Sequence, residues 1–328
     1  MIIAGIDEAG YGPLLGPLVV SASAVSVPGD VETVISDVET LPNIWSLLRG
    51  AVTMKASARK GKLLIADSKA VHNLGDGDKL LERAVLTCLR TVTPAATDCL
   101  TLGRLLAMLD CANHDVAAHA WYDIDAALPW AADLGDIAIA SNMFTTALRQ
   151  ANVAILHMRT ALVTETMFNR MVGATGNKGS ALVSLSLRHL YELHQRFGQQ
   201  GLVVGVDKQG GRDHYTSLLL RSFPEAQLKV LSESDKVSIY LLTEGPRRTL
   251  VFFQEKGETH FLPTALASMT CKYLRETCMR SFNQWWGGQL PGLRGTAGYY
   301  SDGMRWLADV EPHLPRLAIT REHLVRCK

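Results

Sequence analysis

Two short apolar runs, residues 2–6 and 202–206, lie far apart in the chain, and each leads straight into acid. Asp7 and Glu8 follow the first, and Asp207 follows the second. Both runs have strand length and composition. The second, Leu-Val-Val-Gly-Val, is continuously apolar, which suits a strand buried on both faces. Charge at the end of a buried strand is costly unless it is neutralised. If the two runs pair in one sheet, their acids come together. A divalent metal ion is the usual neutraliser for such a group of carboxylates.

The rest of the pattern is compatible with that sheet. A turn, Gly10-Tyr11-Gly12-Pro13, follows Glu8, and a second apolar run occupies 18–27. Residues 227–231 read as a further strand. Helical spacing appears near 79–93, 139–151, 180–197, 213–222, 264–283 and 302–309. Strands mixed with helices predict an α/β architecture. Residues 249–262 read as a β-hairpin with Gly257 at its turn. Residues 28–62 and 95–180 carry weaker patterns, and the second stretch, rich in Ala, Asp and Leu, reads as helical. Asp235, in Ser-Glu-Ser-Asp-Lys, reads on spacing alone as a helix N-cap. Residues 173–179 look superficially like a phosphate loop but lack the Lys-Ser/Thr pair at the required spacing.

Composition narrows the class. Of 328 residues, 47% are hydrophobic and 20% charged, as in globular chains and unlike disordered ones. No apolar run approaches the roughly 18 residues needed to span a bilayer, so no membrane association is expected. Asp7 and Glu8 interrupt the first apolar stretch and argue against a secretory signal. The six cysteines form no C-x-x-C pair and no zinc spacing, so they read as reduced thiols of a cytoplasmic protein. A net charge of +1 argues neither for nor against nucleic acid. Basic residues do cluster locally, at Lys55, Arg59, Lys60 and Lys62, and at Arg294, Arg305, Arg316, Arg321 and Arg326. Each reads equally as solvated surface or as a phosphate contact.

Five motifs, taken in order, add a resemblance. Asp7-Glu8-Ala9-Gly10-x-Gly12-Pro13-x-x-Gly16-Pro17 resembles the opening motif of the type 2 ribonucleases H. Asp67-Ser68-Lys69 is similar to the Asp-Ser-Lys motif that follows in that family. Val206-Asp207-x-x-Gly210, with Tyr215, Ser222-Phe223-Pro224 and then Asp235, resembles the third-to-fourth acid segment of the eukaryotic and archaeal members. Ala267-Ser268-Met269-x-Cys271-Lys272-x-x-Arg275-Glu276 resembles the family's Ala-Ser helix. Gly298-Tyr299-x-x-Asp302 is similar to its C-terminal Gly-Tyr motif.

This resemblance implies an RNase H-like mixed sheet flanked by helices, with a core at 1–260 and a helical C-terminal substrate-binding portion at 261–328. It implies cleavage of RNA in RNA–DNA hybrids, including duplex DNA with single embedded ribonucleotides; the alternatives are a nuclease of the same fold with a different hybrid preference, as in the type 3 members, and a non-catalytic nucleic-acid-binding relative. Two Mg²⁺ or Mn²⁺ ions would be held by Asp7, Glu8, Asp207 and Asp235. Substrate would meet Gly10, Tyr11, Gly12, Ser68, Lys69, Lys272 and Tyr299. Glu276 is left as a structural partner of Arg275 or Lys272. The chain departs from the family at Tyr11, where Arg is usual, and at Ala70, where a basic or polar residue is common. The stretches near 28–62 and 95–180 and the expected hairpin at 249–262 read as insertions.

Overall fold

The computed structural model describes residues 1–93, 100–112, 114–209 and 211–327. Its centre is a seven-stranded mixed sheet. The strands are β1 (Ile2–Ala9), β2 (Leu18–Ser26), β3 (Ala154–Val163), β4 (Leu202–Asp207), β5 (Gln227–Glu233), β6 (Val237–Glu244) and β7 (Arg247–Gln254). Their spatial order is β3-β2-β1-β4-β7-β6-β5. β4 lies between β1 and β7 and runs parallel to both, and the remaining neighbours are antiparallel. The mixed sheet flanked by helices expected from the sequence is present.

The two acid-ending runs are adjacent. Ile2 pairs with Leu202 and Ile6 with Val206, so Asp7 and Asp207 emerge side by side. In the same register Gly5 lies beside Gly205, two residues ahead of each aspartate. A Cβ at Gly5 would come within 2.0 Å of the Thr264 backbone nitrogen, and one at Gly205 within 2.4 Å of the Phe261 ring. The paired glycines therefore open a flat patch on the sheet. The start of α7 (Leu262–Gln289) settles there, with Thr264 Oγ1 donating to Gly205 O at 3.0 Å and Ser23 Oγ donating to Pro263 O at 2.8 Å. Close approach of one backbone to another is the usual reason for glycine inside a strand.

Helices cover both faces. On one lie α2 (Gly77–Val92), α3 (Leu134–Gln150), α7 and α8 (Tyr300–Val310), which share an apolar cluster with Ile3, Val203 and Leu250. On the other lie α4 (Glu165–Thr175), α5 (Lys178–Phe197) and α6 (Thr216–Ser222), packed on Ile6, Val204 and Val206. A short helix, α1 (Ser68–His72), follows Asp67, whose carboxylate caps it by accepting from the Lys69 and Ala70 N–H groups. The first cluster draws on residues both before and after position 260. Among the described residues no helix is long and apolar enough to cross a membrane. The described cysteines are free, and Cys88, Cys111, Cys271 and Cys278 are buried; Cys99 lies outside the described residues.

Three expectations need correcting. The hairpin at 249–262 is not formed. Residues 249–254 belong to β7, whose hairpin partner is the preceding strand β6, with Val237 opposite Gln254 and the turn at Gly245. Gly257 instead opens a single 3₁₀ turn, Gly257–Thr259, that leads into α7. β7 is an inner strand, hydrogen-bonded to β4, so this stretch is core and not an insertion. The helical reading of 95–180 missed β3, where partial burial on both faces hides the alternation behind flanking Ala- and Leu-rich helices. Asp235 caps no helix. It lies in the bend between β5 and β6.

Candidate active site

A cleft of about 350 Å³ opens where β1 and β4 end. Asp7, Glu8 and Asp207 line it, together with Asp67 and Glu258. Neighbouring side chains of a strand point to opposite faces, and Asp7 and Glu8 follow that rule. Asp7 is buried on the α7 side, near the Ser268 hydroxyl. Glu8 faces α5, where Gln209 Nε2 donates to Glu8 Oε2 at 3.1 Å and to Ser186 Oγ at 2.7 Å. Asp207 Oδ1 accepts from the Gly257 N–H at 3.1 Å, and that bond draws the 3₁₀ turn and Glu258 to the cleft.

The acids resist ionisation. Burial pushes the Asp7 carboxyl well above the usual range, and repulsion from Glu8 and Asp207 adds to it. Glu8 is pushed up to about 7, first by burial and then by Asp207. Asp207 and Glu258 are raised too, each mainly by burial. Lys69 eases the charge on Glu8 and Asp207 but does not balance it. Raised carboxyls of this kind mark a place where a cation is favoured. Among the described residues no three acidic, histidine or cysteine side chains are placed to hold a metal ion as a set. Mg²⁺ does not require one, because it keeps several waters and takes one or two carboxylates per ion. All-oxygen donors are the right chemistry for Mg²⁺ or Mn²⁺. The fit is one of donor type, all oxygen.

The sequence-derived substrate residues are distributed around the same cleft: Gly10, Tyr11, Gly12, Ser68, Lys69, Lys272 and Tyr299 all line it. Ser268 Oγ donates to Ser68 Oγ at 2.9 Å and binds the Asp-Ser-Lys segment to α7. Lys272 Nζ donates to Glu276 Oε1 at 2.6 Å, so Glu276 is a partner of the lysine. Tyr299 is half exposed. Asp302 hydrogen-bonds Thr296, the Ala297 N–H and Arg305, and so shapes the loop ahead of Tyr299. Asp235 is not brought in. Its side chain is exposed, and its backbone carbonyl accepts from Lys208 Nζ at 2.6 Å. β5 and β6 are the two outermost strands on that side of the sheet, so the bend joining them is displaced from β1. Gly210 lies outside the described residues.

Two groups of residues were missed by sequence reasoning. Glu258 is the first. Its signal was an acid just ahead of the Ala-Ser helix, obscured by the hairpin reading. The second is the set of buried groups that fixes the Gly10–Pro17 turn. Arg275 donates to Pro17 O at 2.8 Å and to Leu15 O and Ala297 O at 3.1 Å. Arg326 donates to Gly10 O and, at 2.8 Å, to Tyr11 O. Glu165 Oε1 accepts from the Gly16 N–H at 3.0 Å. Gly298 O accepts from the Leu14 and Leu15 N–H groups, which joins the turn to the Tyr299 loop. Tyr11 rests its ring against the α5-side apolar cluster, while Arg326 holds its carbonyl. Arg326 was visible only as one of several C-terminal basic residues.

No protein-family profile matches the chain, and no curated relative does. Among solved structures it is similar over nearly its whole length to archaeal enzymes. One is a chain of the PCNA:RNase HII complex from Archaeoglobus fulgidus, at 14% identity and a TM-score of 0.40, covering 100% of this chain and 95% of that one. Another is the ribonuclease H2 from Pyrococcus horikoshii OT3, at 15% identity and a TM-score of 0.43, covering 99% and 92%.

Proposed function

We propose that the chain is a metal-dependent endoribonuclease that hydrolyses RNA within RNA–DNA hybrids, including at single ribonucleotides embedded in duplex DNA. The observation that carries this reading is the cleft itself, where buried, mutually repelling carboxylates face a glycine turn, two lysines and an exposed tyrosine. Asp7, Glu8 and Asp207 are the metal-holding acids, and Glu258 takes the fourth position in preference to Asp235. A bound pair of Mg²⁺ or Mn²⁺ ions supplies a nucleophile at neutral pH and stabilises the leaving oxygen. Lys69 and Lys272 offer positive charge to substrate phosphates, which take most polar contacts in such complexes. The Gly10-Tyr11-Gly12 backbone, held by Arg326, can approach a 2′-hydroxyl closely because Gly12 carries no side chain. Tyr299 offers its ring to the neighbouring sugar. The products carry a 3′-hydroxyl and a 5′-phosphate.

The test is cleavage of end-labelled duplexes holding one or four ribonucleotides, with Mg²⁺, Mn²⁺ or chelator. Metal-dependent cutting of both duplexes, lost in Asp7→Asn, is expected. Cutting of the four-ribonucleotide duplex alone would remove the single-ribonucleotide part of the reading. No cutting of either, or equal cutting by Asp7→Asn, would remove all of it.

A further inference from the structure

A second concavity, of about 570 Å³, lies on the α5 side of the sheet. It runs between α5 and α6 and reaches Thr175 at the end of α4. Arg188, Arg212 and Arg221 line it, with the hydroxyls of Ser180 and Ser184 and the half-exposed ring of Tyr191. None of the residues lining it is acidic. Arg188 does reach Glu192, at 3.4 Å, but Arg188 is itself exposed and Glu192 also pairs with Arg159, so this contact does little to neutralise the arginine. The phosphate-loop-like stretch 173–179 leads into this rim, and a Cβ placed on Gly179 would come within 3.5 Å of the Arg212 guanidinium.

The groove and the cleft share a wall. Arg212 belongs to the segment that follows Asp207. Three residues earlier in that segment, Gln209 bridges Glu8 in the cleft and Ser186 on α5. Ser184, on the groove, is two residues from Ser186. A polyanion that runs on from the cleft past this wall would meet the three arginines. Arginine and serine are common donors to phosphate oxygens. The groove offers one aromatic ring, itself packed against Phe223 at 5.7 Å, and so lacks the successive stacking platforms that suit unpaired bases. We propose that the Arg188–Arg212–Arg221 groove binds the sugar–phosphate backbone of duplex nucleic acid outside the step that is cut. This rests on the reading of the cleft as a nucleic-acid site.

The experiment is fluorescence anisotropy of a labelled RNA–DNA hybrid and an all-DNA duplex in chelator, across a salt series. The full chain is compared with the double variant Arg212→Gln/Arg221→Gln and with Arg49→Gln/Arg149→Gln, which removes equal charge from exposed positions elsewhere. The groove variant is expected to weaken binding of both duplexes about tenfold near 0.1 M salt and to lower the salt slope by about 2. Its kcat on saturating hybrid stays at the wild-type value. Wild-type affinity and slope in the groove variant would overturn the proposal, as would an equal loss in the charge control or a wild type that binds neither duplex. Groove-dependent binding without cleavage would instead leave this site standing and remove the proposed activity.

Discussion

β1 and β4 end alike, as Gly-x-Asp beside Gly-x-Asp, yet the chain leaves them in different ways. After Asp7 and Glu8 it enters a turn whose carbonyls are held by Arg275 and Arg326 and whose Gly16 amide is held by Glu165. After Asp207 it enters a segment held by Lys208, which reaches Asp213 and the carbonyls of Ser234 and Asp235, and by Gln209. The first exit is fixed by buried charge drawn from the middle and the C-terminal part of the chain. In the second, the Lys208 contacts lie nearer solvent while the Gln209 bond to Ser186 is buried. One acid pair thus sits between a turn held by buried charge and a segment held partly at the surface.

The equality of the two strand ends is the first thing to break. Asp7→Asn and Asp207→Asn should each lower single-turnover cleavage on the order of 10²–10³-fold, the usual cost of removing one preorganised electrostatic group. If one variant keeps near-wild-type activity, the strands are not partners in one site. Glu258→Gln should fall with them and Asp235→Asn should stay within about twofold. The reverse result would restore the fourth acid suggested by the motif spacing.

The difference between the exits predicts unequal stability. Arg326→Ala leaves turn carbonyls unpaired and removes the positive charge near buried Glu165, which should cost about 3–5 kcal/mol by urea unfolding. Lys208→Ala should cost about 1.5–3 kcal/mol. Arg326→Lys keeps the charge without the fork. It should recover stability in part while KM for the single-ribonucleotide duplex stays raised. Equal costs for Arg326→Ala and Lys208→Ala would dissolve the contrast.

A smaller effect separates the paired glycines. Gly5→Ala drives a methyl into the α7 backbone, whereas Gly205→Ala meets the ring of Phe261 and the Thr264 hydroxyl. Overpacking costs about 1–3 kcal/mol, and Gly5→Ala should lie at or above the top of that range, with Gly205→Ala below it. The smallest effect is a pH slope. Glu8 has a folded-state pKa near 7 against 4.5 as its ordinary value, so the folded chain binds more protons between those limits. Its contribution to metal-free stability is therefore lost as pH rises through that window. Thermal unfolding in chelator should show this decline, Glu8→Gln should flatten it, and Mg²⁺ should raise Tm more at pH 8 than at pH 5.

What was legible in the chain was local. Asp7, Glu8 and Asp207 stood out because a strand's apolar run stops where charge begins, and most helices showed their spacing within a few residues of where they form. Glu258 was not legible, because its approach depends on one hydrogen bond from the Gly257 N–H to Asp207, fifty residues back in the chain. Asp235 has the motif's spacing from Asp207 but does not line the cleft, because the chain spends residues 237–254 on two more strands before it returns there. β3 escaped because an edge strand, buried on neither face completely, carries only a broken alternation.

The sequence by itself determined that two acid-ending strands, a glycine turn and an Ala-Ser helix would exist, since burial and periodicity act over a few neighbouring residues. Only the tertiary structure decided which acids meet, that Arg326 holds the turn, and that three arginines line one groove beside the cleft. Those outcomes depend on strand order and on the close seating of α7 over Gly5 and Gly205, which join residues that no local pattern relates.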